Sequence, residues 1–171
     1  MAVGFPAKTT WASGDVFTSS GVDDLAGTLN LLSKLYTGLY PTLSLEETVN
    51  IVAAAMTGAM NIDVKTSTIW LYTTNASANF TLNFRGDGST TLASLLAVGQ
   101  SITVMVLNTN GATPYYPTAF SIDGSAVTPK WSGGTAPAAG NASAIDAYSF
   151  TIIKTAVTPT YTVLGGAVKF A

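Results

Sequence analysis

Beyond Pro41, apolar and polar positions alternate in short runs separated by turn residues, the pattern of an all-β domain. In Ile69-Trp70-Leu71-Tyr72, for example, Ile69 and Leu71 share one face of an extended segment while Trp70 and Tyr72 share the other. Runs of this kind predict strands over residues 47–54, 59–64, 68–73, 79–85, 101–108, 118–122, 126–131, 147–154, 161–164 and 167–171. The first of these competes with a helix, because Ala53, Ala54 and Ala55 are strong helix formers. The β-branched Thr48, Val49, Ile51 and Val52, with a hairpin-like Thr57-Gly58, favour the strand. Residues 91–98 read as a short helix stopped by Gly99, and Asp123-Gly124 between two alternating runs is a hairpin signal. The expected fold is mainly β, an antiparallel β-sandwich of jelly-roll type.

The first forty residues follow another rule. Residues 1–18 read as an extended arm with a turn at Ser13-Gly14-Asp15, and Ser20 can cap a helix over residues 22–38 that stops at Gly38 ahead of Pro41. Val22, Leu25, Leu29, Leu32, Tyr36 and Leu39 are spaced by threes and fours and form a seam, widened by Leu31 and Leu35. Such a stripe either packs on the domain behind it or joins copies of the chain. The division expected is therefore residues 1–40, arm plus helix, and residues 41–171, sandwich. Two loops stand out in the second part. Residues 132–143 are a low-complexity stretch of Gly, Ala, Pro, Thr and Asn, and residues 110–117 hold Tyr115 and Tyr116 between Pro114 and Pro117, where the tyrosines are expected to be exposed. Both loops suit either recognition of a partner or close packing between subunits.

Composition narrows the chemistry. Histidine and cysteine are absent, and the chain has seven Lys or Arg against nine Asp or Glu, a net charge of −2. The usual neutral-pH base, the soft metal ligands and every thiolate mechanism are thereby missing. A serine triad lacks its histidine, and no Gly-x-Ser-x-Gly occurs. The few cations are scattered from Lys8 to Lys169, which argues against nucleic acid. Apolar stretches such as 51–56 and 104–107 are far shorter than the ~20 residues of a spanning helix, and Met1 to Lys8 lacks a signal-peptide pattern, so assembly in a cytoplasm is expected. Scarce surface charge favours association with further copies or with other proteins.

The remaining motifs have structural explanations. Asp15, Asp87 and Asp123 adjoin turn glycines, Asp23 and Asp24 open the helix, Glu46 and Glu47 precede a strand, and Asp63 and Asp146 lie in or beside strands at the rim of the core. A glycosidase would need two of these carboxylates facing each other across a groove. Arg85-Gly86-Asp87 contains the tripeptide read by adhesion receptors, without further support, and Asp87-Gly88-Ser89 lacks the ligands of a calcium loop. Asn75, Asn79 and Asn141 stand in glycosylation triplets that only a secreted chain would use. Trp70 and Trp131 read as core or inter-subunit residues. No catalytic residue, cofactor or metal is assigned.

Two stretches resemble a known class. The opening GFPAKTTWASGDVFTSSGVDDLAGTLNLL is similar to the N-terminal segment of tailed-bacteriophage fibre and virion proteins. The segment from WLYTTNASANFTLNFRGDG through SIDGSAVTPKW, with the closing YSFTIIKTAVTPTYTVLGGAVKFA, resembles a β module of structural proteins in marine and cyanobacterial phages. The resemblance implies a non-enzymatic virion component assembled in the host cytoplasm: a short tail fibre or appendage, homotrimeric, or alternatively a capsid decoration protein. Beside the resemblance, the residues themselves give the expected contacts: attachment to other virion proteins through Phe5, Trp11, Val16 and Phe17 of an arm with too little apolar surface to fold alone, oligomerisation through the seam, and a candidate recognition loop at Tyr115 and Tyr116 for a host-surface glycan or protein.

Overall fold

A computed structural model describes residues 47–171. The arm with Phe5, Trp11, Val16 and Phe17, and the seam of Val22, Leu25, Leu29, Leu32, Tyr36 and Leu39, lie outside the described residues. The remainder is mainly β, with two sheets and one short helix. Its strands are β1 (Val49–Ala55), β2 (Gly58–Asp63), β3 (Ile69–Thr74), β4 (Phe80–Arg85), β5 (Ser101–Thr109), β6 (Pro117–Ile122), β7 (Ser125–Val127), β8 (Lys130–Trp131), β9 (Ile145–Ala156) and β10 (Thr160–Phe170), with helix α1 (Leu92–Leu95) between β4 and β5. A six-stranded sheet has the order β1-β3-β5-β9-β10-β8, and a four-stranded sheet the order β2-β4-β6-β7.

The ladders depart from the antiparallel expectation, mainly in the first half of the described residues. β5 with β9, β9 with β10 and β6 with β7 are antiparallel, whereas β1-β3-β5, β2-β4-β6 and the short β8–β10 pair are parallel. The cause is the path of the chain: successive strands from β1 to β6 alternate between the two sheets, so each return to a sheet runs in the direction of the strand before it. The strand laid on the opposite sheet takes the place of the crossover helix that usually joins parallel strands. Thr57-Gly58 accordingly carries the chain from one sheet to the other instead of closing a hairpin, with Gly58 at a φ of 60°.

The core lies between the sheets. Every second residue of β9 points inward, giving Tyr148, Phe150 and Ile152 along its middle. Phe150 meets Phe84 of the opposite sheet at 5.0 Å between ring centroids, Phe120 at 5.3 Å and Trp131 at 5.8 Å, in tilted and edge-on geometries that aromatic rings favour. Trp70 is buried and donates its Nε1–H to the carbonyl of Ser67 at 2.8 Å. Both tryptophans of this region are therefore core residues.

Two predicted boundaries shift for identifiable reasons. The run 126–131 splits into β7 and β8 on different sheets around Pro129, which has no N–H to donate to a ladder. The runs 161–164 and 167–171 are one strand, β10, because Gly165 and Gly166 are strand residues here and not a turn. A Cβ on Gly165 would stand 3.0 Å from the Trp131 ring, so packing favours glycine there, while one on Gly166 would stand 2.9 Å from Ser149 Oγ, a hydroxyl that can rotate aside. The predicted helix 91–98 is one turn, Leu92–Leu95.

Candidate functional site

At one end of the sandwich the inward face of the large sheet turns from apolar to polar. Asp146 of β9 and Asn108 of β5 are cross-strand partners, 2% and 0% exposed. Buried polar groups of this kind must find hydrogen bonds, and these find them in the two loops singled out above. Asn108 donates to Asn110 Oδ1 at 3.0 Å and to the Tyr115 carbonyl at 3.2 Å, and Asn110 donates to Asp146 Oδ2 at 2.9 Å. The same carboxylate oxygen accepts from the Asn141 N–H at 2.9 Å and from the Tyr148 hydroxyl at 3.4 Å. Asn110 Oδ1 in turn accepts the Tyr115 N–H at 3.0 Å.

The knot fastens both loops to one carboxylate. Backbone bonds add to it: Asn110 N–H donates to the Ala144 carbonyl at 2.9 Å, and Ser143 N–H to that of Gly111 at 2.8 Å. Gly140 sits so close that a Cβ there would stand 2.6 Å from the Tyr115 carbonyl oxygen and 2.8 Å from Asn110 Nδ2. Burial, and then the charge of Asp146, pushes the Tyr148 hydroxyl well above the usual tyrosine range, so it stays protonated and donating across physiological pH. Asp146 Oδ1 and Asn108 Oδ1 are buried and accept from no group among the described residues. Beside the knot an open depression of ≈ 620 Å³ is lined by Asn75, Asn110, Gly111, Ser143 and Phe170 among others.

Tyr115 and Tyr116 are half-buried and pack against the core, in contrast to the exposure expected from their flanking prolines. The reason is tertiary. Pro117 begins β6 in register with Phe80, and the Tyr116 N–H donates to Asn79 Oδ1 at 3.2 Å, which draws the pair down onto the sheet edge. They contribute part of a surface, and the loops' polar backbone and Asn side chains contribute the rest. The burial of Asn108 and Lys154 was not recognised from sequence, although the signal exists: β5 reads Val104-x-Val106-x-Asn108 and β9 reads Asp146-x-Tyr148-x-Phe150-x-Ile152-x-Lys154, apolar alternations with a polar or charged residue in phase at their ends.

The other end of β9 is organised by that second charge. Lys154, 9% exposed, donates to the carbonyls of Ala93 at 2.7 Å and Leu96 at 2.8 Å, the carbonyl end of α1. Asp123 accepts the N–H groups of Leu92 at 2.7 Å and Ala93 at 3.0 Å at its amino end, and Thr91 Oγ1 accepts that of Ser94. A single helical turn is unstable alone, and here side chains from β9 and from the β6–β7 turn hold it at both ends.

The Arg85-Gly86-Asp87 tripeptide is bound up in the same corner. Arg85 donates to Asp63 at 2.6 Å and 3.3 Å, while Asp87 pairs with Lys65 and accepts the N–H groups of Ser89 and Thr90. These partners hold the Asp87 carboxyl well below the usual carboxylate range, the Lys65 hydrogen bond first among them. Both charges serve to shape a loop. Among the described residues there is no group of three or more His, Cys, Asp or Glu placed to hold a metal, and no helix long and apolar enough to cross a membrane.

The site thus defines a class, a two-sheet β scaffold carrying interlocked loops at one end. Comparison with protein-family models, with curated proteins and with solved structures finds no match for the chain.

Proposed function

We propose that this chain is a non-enzymatic structural component of a bacteriophage virion, a short tail-fibre or appendage protein that is homotrimeric and attached to other virion proteins through its N-terminal arm. The observation that carries the reading is the knot at Asp146, where two loops of a β scaffold are fastened to one buried carboxylate. Loops held this way present a preformed surface, which lowers the ordering cost of meeting a host glycan or protein. Tyr115 and Tyr116 form the half-buried edge of that surface. The resemblance of both stretches of sequence to phage structural proteins supplies the setting.

A second reading, a capsid decoration protein, is favoured by the uncharged apolar outer face of the large sheet, which suits burial against a shell. Copy number separates the two. Quantitative mass spectrometry and immunogold labelling of the purified particle should find the protein at the tail in few copies. Hundreds of copies on the head would establish decoration, and absence from the particle would overturn both readings.

A further inference from the structure

The outward face of the six-stranded sheet is apolar over most of its width. In register across it run Ile51 of β1, Leu71 of β3, Leu107 of β5, Ala147 of β9 and Val168 of β10. Ile51 is 66% exposed and Val168 56%. Neighbouring rows continue the character through Met105 on one side and Phe170 on the other, each also exposed. Across these five strands no outward position carries a charge, and the first one met is Lys130 on the short edge strand β8, paired with Leu164. An apolar centre with its charge at the rim is the anatomy of an interface.

We infer that this face is covered by a second copy of the chain. The inference rests on the self-association included in the reading above, and because like faces meet in pairs it joins one trimer to another, separately from the helix seam read from sequence. Size is the first argument. Five strands about 4.8 Å apart and nine residues long at about 3.4 Å each span on the order of 700 Å², close to the roughly 800 Å² that each partner contributes to a stable complex.

Charge is the second argument. A partner bringing Lys, Arg, Asp or Glu to this face would bury it with nothing to pair it, at a cost of several kcal/mol per ion. A copy of the same face brings none. Sheets stack face to face about 10 Å apart when their side chains interdigitate. The low strip of Ala147, Ser149 and Gly166, between the higher flanks of Met105 and Val168, leaves a furrow in which a facing ridge can sit.

The test uses the full chain in sedimentation velocity at micromolar concentration. The unmodified protein should sediment as an oligomer, and the double variant Ile51→Lys, Val168→Lys as a smaller species with an unchanged circular dichroism spectrum, since both side chains stand outside the core. A monomeric unmodified protein, or a double variant that sediments as the unmodified protein does, overturns the inference. The variant Leu29→Glu, Leu32→Glu reports separately on the helix seam. Should the lysine pair unfold the domain, Val168→Cys decides instead, because the chain has no other thiol. Its reaction with a maleimide should be slow in the oligomer and accelerate on dilution, whereas an equal rate at all concentrations overturns the inference. Particle proteomics is independent of either result, so failure of the sheet contact leaves the virion reading intact and the reverse also holds.

Discussion

Asp123 performs two separable tasks, and substitution can measure each. It is the first residue of the β6–β7 turn, where its φ of 50° and the 81° of Gly124 put both turn residues in the left-handed region. Its carboxylate also accepts the Leu92 and Ala93 N–H groups of α1 at 2.7 Å and 3.0 Å. Loss of a capping side chain costs about 1–2 kcal/mol, and a residue with a Cβ held at positive φ costs about 1 kcal/mol more than glycine. Asp123→Ala loses the cap and keeps the Cβ strain that Asp already bears, so it should destabilise by about 1–2 kcal/mol. Asp123→Gly loses the same cap but relieves about 1 kcal/mol of that strain, so it should lose about 1 kcal/mol less than Ala, while Asp123→Asn tolerates the turn, keeps one acceptor and should lose under about 1 kcal/mol.

At about 3–4 °C per kcal/mol for a chain of this size, thermal unfolding by circular dichroism separates Ala from Gly and Asn. Each uncharged variant should also lower the Tyr161 pKa, which burial raises first and the Asp123 charge second, an effect read by ultraviolet titration. Equal losses for Ala and Gly would refute the backbone argument. An unchanged midpoint for Ala would refute the cap, and with it the claim that α1 depends on side chains from elsewhere.

Two further outcomes are expected. Gly140→Ala places a Cβ 2.6 Å from a backbone carbonyl that cannot yield without moving Tyr115, so it should cost about 1–3 kcal/mol and raise amide exchange in both loops while leaving the β5–β9 ladder protected. Because the Asp87 pKa in the fold lies below its ordinary 3.8, its contribution to stability is present above that pH and is lost as pH falls through the folded value. Asp87→Asn should therefore flatten the acid limb of the stability profile below pH 3.8, as urea titrations at several pH values would show. An unchanged acid limb would mean that the Lys65 and loop N–H contacts do not persist in solution.

Much of this protein was legible one segment at a time. Alternation placed nearly every strand within a residue or two, from the Ile69–Tyr72 run to the β5 run, because a half-buried strand writes a period of two directly into its own residues. The Asp123-Gly124 turn was equally local, since its backbone angles restrict which residues can stand there. Partnership was not local. The sequence of β1, β2 and β3 contains no term that says whether β2 pairs with β1 or crosses to the other sheet, so Thr57-Gly58 resembles a hairpin turn and the parallel ladders stay invisible.

The candidate site divides in the same way. That the two long loops matter was visible in their length and composition, and Asp146 could be placed at the rim of the core. That both loops converge on Asp146, and that Tyr115 and Tyr116 are drawn half under the surface, follows from contacts between residues far apart in the chain. The glycines show the limit best. Gly165-Gly166 has the composition of a turn, and only the pairing with β9 and the Trp131 ring packed on Gly165 make it the middle of a strand. Local sequence determines what a segment can become, because propensity acts on neighbouring residues. Tertiary structure decides what a segment meets, because burial and pairing are properties of surfaces that no single segment contains.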